Sequence, residues 1–297
     1  MLTPIIHSKH LSSQEFFAII PKLFKLMKQF VWITPEIIRD TNEEKGVIMS
    51  VNVDIKALFE AGAHFGHKTS RWHPKMAGYI HSKRGDSHII NLDRTVEQLE
   101  KALPEVTKTI ADGKQVLFVG TKNQIEGIVR EAALSVDQPY VVERWLGGML
   151  TNHNTIDSQI KSLKLLEKRM ASGELANRFN KLEVQRFQEE IDEGNKKYGG
   201  IKELRGKPGM VFVTDACLDR NAIKEAIKLD IPILAIVDSN ADPSGIEYVI
   251  PANDDAIKST EIIVDYVVQA IKEGQNISAK KSENKLVEVN PNVIGGK

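Results

Sequence analysis

The chain is 297 residues long, 41% hydrophobic and 27% charged, with 40 basic and 40 acidic side chains and a formal net charge of zero. That mix describes a globule whose core needs no staples, and the even balance, taken alone, argues against a nucleic-acid partner, since such domains are often strongly basic. The single cysteine, Cys217, excludes an intramolecular disulfide and a thiolate-built zinc site, and no run of 18 apolar residues offers a membrane span; a reducing, cytoplasmic location with no membrane partner is expected.

Residues 1–48 differ in character from the rest of the chain. They hold one arginine against five acids, unlike a transit peptide, and lack a signal-peptide cleavage pattern. Phe16, Ile20, Leu23, Phe24 and Met27 make a short stripe that Pro21 interrupts. The segment is expected to be a non-native or mis-annotated extension, with translation starting at Met49. Lys45-Gly46-Val47-Ile48 can be written AAA-GGA-GTN-ATN, which contains the bacterial ribosome-binding sequence AAGGAG just upstream of the Met49 codon. The rival is a genuine N-terminal helix that docks on RNA or a neighbour, and peptides from before Ile48 in the native protein would refute the false start.

From Met49 onward helical and strand-like segments alternate. Ile55, Leu58 and Phe59 predict a helix that Gly62 stops, and a loop-rich stretch from His64 to Ser87 leads into a strand over 88–92. Val96, Leu99, Leu103, Val106 and Ile110 predict an amphipathic helix. Val116 to Val119 reads as a buried strand, a helix covers about 123–134, and a strand covers 140–142. Further strands lie at 210–214 and 233–237, with helices at 221–229 and 254–272. Such alternation predicts an α/β fold, a parallel sheet with helices on both faces. The insert, about 154–198, carries two apolar stripes, Ile156 to Met170 and Leu175 to Tyr198, split at Ser172-Gly173; it predicts a projecting antiparallel helical hairpin. The main domain is thus 49–274, and the polar tail 275–297 is expected to be disordered.

Segment 64–84 holds Lys68, Arg71, Lys75, Lys83 and Arg84 with no acid, interleaved with His64, His67, Phe65 and Trp72. Cations for phosphates and aromatic faces for unpaired bases point to RNA; a solvated basic loop plugged by Trp72 is the bland alternative. His64 and His67 lie three apart, but no Cys, Asp or Glu is near in sequence, so no metal is expected there. Phe118-Val119-Gly120-Thr121-Lys122 has one glycine, short of either phosphate-binding fingerprint, and Thr121 is expected to cap the next helix. Asp215 and Asp238 follow strands at the edge where α/β active sites gather, yet they equally suit caps and turns. Arg144 to Asn152 has paired glycines beside Arg144 and Trp145; it reads either as a contact loop or as a buried connector.

Several strings carry a family resemblance. Ala61-Gly62-Ala63-His64-Phe65-Gly66-His67, Trp72-His73-Pro74-Lys75-Met76, Arg144-Trp145-Leu146-Gly147-Gly148-Met149-Leu150-Thr151-Asn152 and Ile231 to Pro243 stand in an order that resembles the bacterial small-subunit ribosomal protein S-two family, from about 51 to 274. The resemblance implies a flavodoxin-like sheet with a protruding helical hairpin and a structural, non-enzymatic role without a cofactor. It implies binding of small-subunit rRNA where head meets body, contact with neighbouring subunit proteins, and support for docking of ribosomal protein S-one. Carried onto matching positions, RNA contact falls on His64, His67, Lys68, Arg71, Trp72, Lys75, Lys83 and Arg84, and on Arg144 and Asn152. Relatives often carry histidines after the Asp215 position and have been linked to zinc; Asp215-Ala216-Cys217-Leu218-Asp219-Arg220 has none, which puts a metal there in doubt. The rival from another class is a nucleotide-dependent enzyme on a Rossmann-like sheet, distinguishable by whether ATP, GTP or NAD stabilises the fold.

Overall fold

The computed structural model describes residues 51–289, with side chains to 280; the expectations for residues 1–48 lie outside the described residues. Helix α1 (Ile55–Glu60) is capped by Asp54, whose carboxylate accepts from Lys56 N at 2.8 Å. Strands β1 (Phe65–Lys68), β2 (Ile80–Arg84) and β3 (Ser87–Ile90) come next, and then helix α2 (Leu92–Ala111). The central elements are β4 (Val116–Val119), α3 (Glu126–Ser135), β5 (Tyr140–Val141), and helices α4 (His153–Ala171), α5 (Glu174–Arg178) and α6 (Lys181–Tyr198). Strand β6 (Met210–Val213), α7 (Arg220–Lys228), β7 (Ile233–Val237), β8 (Tyr248–Pro251) and α8 (Ile257–Val289) complete the described chain.

Five strands form a wholly parallel sheet in the order β5-β4-β6-β7-β8. Counted along the chain, that is second, first, third, fourth, fifth, the flavodoxin-like doubly wound order. Alternate residues feed opposite faces. Val116, Phe118, Phe212, Leu234 and Ile236 pack toward α2, α3 and α8, whereas Leu117, Val119, Val211, Val213 and Val237 pack toward α7 and the base of α4. Because both faces are covered, every residue of β4, β6 and β7 is buried, and periodicity alone marks these strands only as apolar runs. Buried hydroxyls tie the layers: Thr95 Oγ1 donates to Pro251 O at 2.6 Å and Thr107 Oγ1 to Ala270 O at 3.0 Å.

Two strand assignments change. Strand β3, expected in the parallel sheet, instead lies in the middle of a separate antiparallel sheet, β1-β3-β2, within the stretch read as a loop. The fifth parallel strand is β8, which the apolar runs do not predict; its Pro251 pairs with Val237 at the sheet edge, where a missing N–H costs least. The closing helix also runs on to Val289, where composition predicts disorder from 275. No proline falls between 251 and 291, and Gln275 Nε2 reaches Val136 O at 2.6 Å.

The insert forms the expected helical arm, but its second half is two helices: Phe179 is extended, and Asn180 starts α6 with a capping box to Glu183. Gly194 lies where a Cβ would come 2.7 Å from Leu163 Cδ1, so α4 and α6 touch closely. Ile156 and Ile160 at the start of α4, however, belong to the core beneath the parallel sheet. Excising 154–198, which the two self-satisfying stripes suggest is harmless, should therefore destabilise by about 4 kcal/mol or more through two lost isoleucines. Replacing only 165–192 with a short Gly/Ser linker should leave cooperative thermal unfolding. Equal unfolding behaviour of both deletions would refute this division.

Candidate nucleic-acid interface

The antiparallel sheet sits over the carboxyl end of β7. His67 N donates to Asp238 Oδ1 at 3.3 Å and Ser239 Oγ at 2.9 Å, and His73 N donates to Ser239 O at 2.7 Å. A two-residue turn, Gly85-Asp86, joins β2 to β3 and lifts Lys83 and Arg84 into solvent. Lys68 and Arg71 are exposed along the neighbouring turn, beside a cleft of about 400 Å³ that Phe65 and Asn253 also line. Trp72 is 38% exposed with its ring 5.2 Å from that of His88, and Phe65 is 49% exposed.

Several cations on the helices are neutralised locally. Lys101, Lys108, Lys161, Arg178 and Lys197 each meet a carboxylate three or four residues away on their own helices. Among the described residues, Lys68, Arg71, Lys83 and Arg84 meet none. Lys75 is the exception in its segment: its ammonium lies 3.4 Å from Asp242 Oδ1 and bonds Ser244 Oγ.

The two histidines face inward. His64 stacks on Phe59 at 4.4 Å between centroids and 10° between planes, and the Phe65 ring lies 4.0 Å from it, tilted by 39°. Burial, then Arg84, holds its pKa below the ordinary histidine value, so it offers an aromatic ring rather than a charge. His67 Nδ1 lies 2.9 Å from Asp238 Oδ2 and Nε2 3.4 Å from Asp255 Oδ2; the contact with Asp238 raises its pKa. The fold thus supplies the carboxylates that the sequence neighbourhood lacks. One ligand atom each from His67, Asp238 and Asp254 lies within 4.8 Å of the others. Yet the Lys122 ammonium, 3.2 Å from Asp254 Oδ1, already supplies positive charge there, and Asp215 bears no histidine neighbour, so the residues do not fit the zinc that relatives suggest.

At the switch point between β4 and β6, where doubly wound folds bind nucleotides, the crevice is filled. Lys122 Nζ reaches Asp254 O at 2.9 Å, Asp255 Oδ1 at 2.6 Å and Asp215 Oδ2 at 3.6 Å. Burial pulls this ammonium down, but Asp255 and Asp254 outweigh it and hold its pKa above the ordinary lysine value. Burial, with Asp215, pushes Asp254 up to about 7, and burial pushes Asp219 up to about 6. Thr121, expected as a helix cap, instead donates to Asp219 Oδ1 at 2.8 Å, and α3 begins further on, after Ile125, which has no side chain able to cap it. A Cβ on Gly120 would stand 2.7 Å from Thr214 Oγ1 and 2.8 Å from Val129 Cγ2; that glycine serves strand–helix packing. Asp215 anchors a turn, accepting from Cys217 N and Leu218 N at 2.9 and 2.8 Å.

Loop 144–152 combines both readings of its sequence. Trp145, Met149 and Leu150 are buried, while Arg144 and Asn152 are exposed. One carboxylate outside the loop organises it. Glu225 Oε1 accepts from Trp145 Nε1 at 3.1 Å and Gly148 N at 2.7 Å; Oε2 accepts from Leu150 N, Thr151 N and Thr151 Oγ1 at 3.0–3.1 Å. Burial pushes Glu225 up, and these donors outweigh it to leave its pKa lowered. Gly148, at φ +89°, allows the backbone to turn its N–H onto the carboxylate. Glu225 escapes sequence reasoning because its partners lie 74 to 80 residues upstream.

Residues 58–274 match the sequence model of a family described as Ribosomal protein S2. The small ribosomal subunit protein uS2 of Roseiflexus castenholzii is 46% identical over 224 residues, covering 75% of this chain and 85% of that protein. The uS2 protein of Chlamydia abortus is 45% identical over 220 residues (74% and 79%), and that of Fusobacterium nucleatum 43% over 242 (82% and 97%).

Proposed function

The chain belongs to the ribosomal protein S2 family, and from that premise we propose that it is a structural, non-catalytic protein of the small ribosomal subunit that holds rRNA where head meets body. RNA contact falls on the segment 64–84 and on loop 144–152. Lys68, Arg71, Lys83, Arg84 and Arg144 neutralise phosphates, Trp72 offers a ring face, His64 braces the exposed Phe65 ring from within, and Asn152 offers an amide. His67 and Lys75 act one step back, fixing the segment onto the parallel sheet. Neighbouring subunit proteins, ribosomal protein S-one among them, complete the proposed surroundings. The observation that carries this reading is the acid-free run itself: Lys68, Arg71, Lys83 and Arg84 are exposed together and, among the described residues, meet no carboxylate, at no cost in balance to the whole chain. The filled switch point supports it too, because the usual nucleotide crevice of the fold is spent on Lys122 and its aspartates.

Charge reversal at Arg71, Lys75 and Arg84 is the direct extension of the sequence reading, but reversing Lys75 would also set a carboxylate against Asp242. Reversing Lys68, Arg71 and Arg84 avoids that. The triple variant should unfold within about 0.5 kcal/mol per site of the parent and lose small-subunit occupancy at least tenfold in sucrose-gradient fractions. Normal occupancy would overturn the assignment of this segment.

A further inference from the structure

We propose that helix α7 carries a further RNA-contacting element, the exposed stripe Arg220, Lys224 and Lys228, whose ligand is an RNA phosphodiester backbone passing between segment 64–84 and loop 144–152. The inference rests on the RNA-binding reading of those two segments and extends it to residues in neither. The three cations recur every four residues, so they lie about 6 Å apart along one face of the helix. All three are exposed, and among the described residues none meets a carboxylate.

Three acids around the stripe, Glu225, Asp242 and Asp219, are engaged elsewhere. Glu225 is consumed by five donors of the 144–152 loop, and Asp242 accepts from Ser244 N at 3.0 Å and pairs with Lys75. Asp219, at the head of the helix, is buried and accepts from Thr121. The stripe therefore keeps its charge for a partner. Its position links the two proposed RNA segments. Arg220 and Lys224 line, with His73, Asn240 and Asp242, a cleft of about 340 Å³. His73 brings segment 64–84 to one side of α7, and Glu225 ties loop 144–152 to the other. Two buried polar atoms of residues lining that cleft, His73 Nδ1 and Asn240 Oδ1, have no hydrogen-bond partner among the described residues. A polyanion meets charge along the whole face; an apolar partner would meet mainly Ile227, 43% exposed.

The test is filter binding of the full chain to transcribed small-subunit rRNA across a salt series. Arg220→Ala with Lys224→Ala should weaken binding and reduce the slope of log affinity against log salt by about 1.4–1.8, the loss of two phosphate contacts. Lys161→Ala, which removes a cation already paired with Asp157, should leave the slope unchanged. Unaltered cooperative unfolding of the double variant separates binding from folding. A wild-type slope in the double variant, while Lys68, Arg71 and Arg84 variants lower it, overturns the α7 assignment alone; a wild-type slope in both sets overturns the RNA-binding reading itself. Normal RNA binding combined with poor incorporation into subunits would place a protein on the stripe and likewise overturn the proposal.

Discussion

Replacing Lys122 with methionine should lower the unfolding free energy by about 3–4 kcal/mol at pH 8 and by clearly less at pH 5.5. The ammonium lies within 3.6 Å of Asp215, Asp254 and Asp255, and two of these three carboxylates are buried. Removing one member of a buried ionic group leaves uncompensated charge, which costs far more than the intact group contributes. The dependence on pH comes from Asp254. Its pKa of about 7 stands above the ordinary 3.8, so the folded state binds this proton more tightly than the unfolded chain does. Stability from that site is therefore greatest at low pH and falls as pH rises from about 4 to about 7. His67, whose pKa is raised first by Asp238, acts in the same direction: its contribution is full below 6.5 and is lost as pH rises through its folded value. The parent should accordingly melt at a higher temperature at pH 6 than at pH 8. Asp242, held near 2 chiefly by Ser244, loses its contribution only in stronger acid. In the methionine variant Asp254 takes up a proton more readily still, so acid rescues it. Adding Asp254→Asn should restore part of the loss at pH 8. Urea midpoints at the two pH values decide the matter: an equal loss at both would show that Asp254 is not the uncompensated charge.

Glu225→Ala should cost about 2–3 kcal/mol and abolish fixed structure in the 144–152 loop, with at least tenfold weaker rRNA binding. Five donors lose their acceptors together; solvent can satisfy the exposed ones at Thr151, but Trp145 Nε1 belongs to a buried ring. Glu225→Gln keeps one carbonyl oxygen and should fall between alanine and parent. Amide exchange gives the local readout: Gly148, Leu150 and Thr151 should lose protection while Val211 and Val213 in the sheet keep it. Retained protection of the loop amides would show that Trp145 and Met149 packing suffices to hold the loop.

Legibility in the sequence tracks how far apart interacting residues lie. Strands β4, β6 and β7 stand out because each is apolar at every position and closed by a turn residue. Strand β8 is three apolar residues and a proline, too short to separate from a loop without its neighbour. Residues 88–92 show a strand by the same apolar signal, but no pattern within five residues tells which sheet will take them; β1 and β2, polar and only half covered, carry no signal to suggest a second sheet. The arm's stripes are visible, whereas the membership of Ile156 and Ile160 in the main core is not, since both simply continue the stripe. Of the site, the acid-free run 64–84 is legible as composition. The clustering of Lys122 with Asp254, 132 residues away, is not, and neither is the inward turn of His67 toward Asp238, 171 residues on. Lone carboxylates and histidines on amphipathic segments read as solvated or as contact residues until the fold brings their partners.

A basic run within a chain of zero net charge has an electrical consequence. With 40 charges of each sign the chain has no net charge, so the acid-free run 64–84, whose Lys68, Arg71, Lys83 and Arg84 meet no carboxylate among the described residues, makes its attraction to a polyanion local and directional. A polyanion exerts torque on such a body before it exerts net pull, so the basic face turns toward RNA during approach, while the field experienced at long range stays weak. Capture should thus be slow compared with that of a uniformly basic protein, and nonspecific adhesion to other polyanions correspondingly small: a solution in which orientation, rather than attraction, selects the productive encounter.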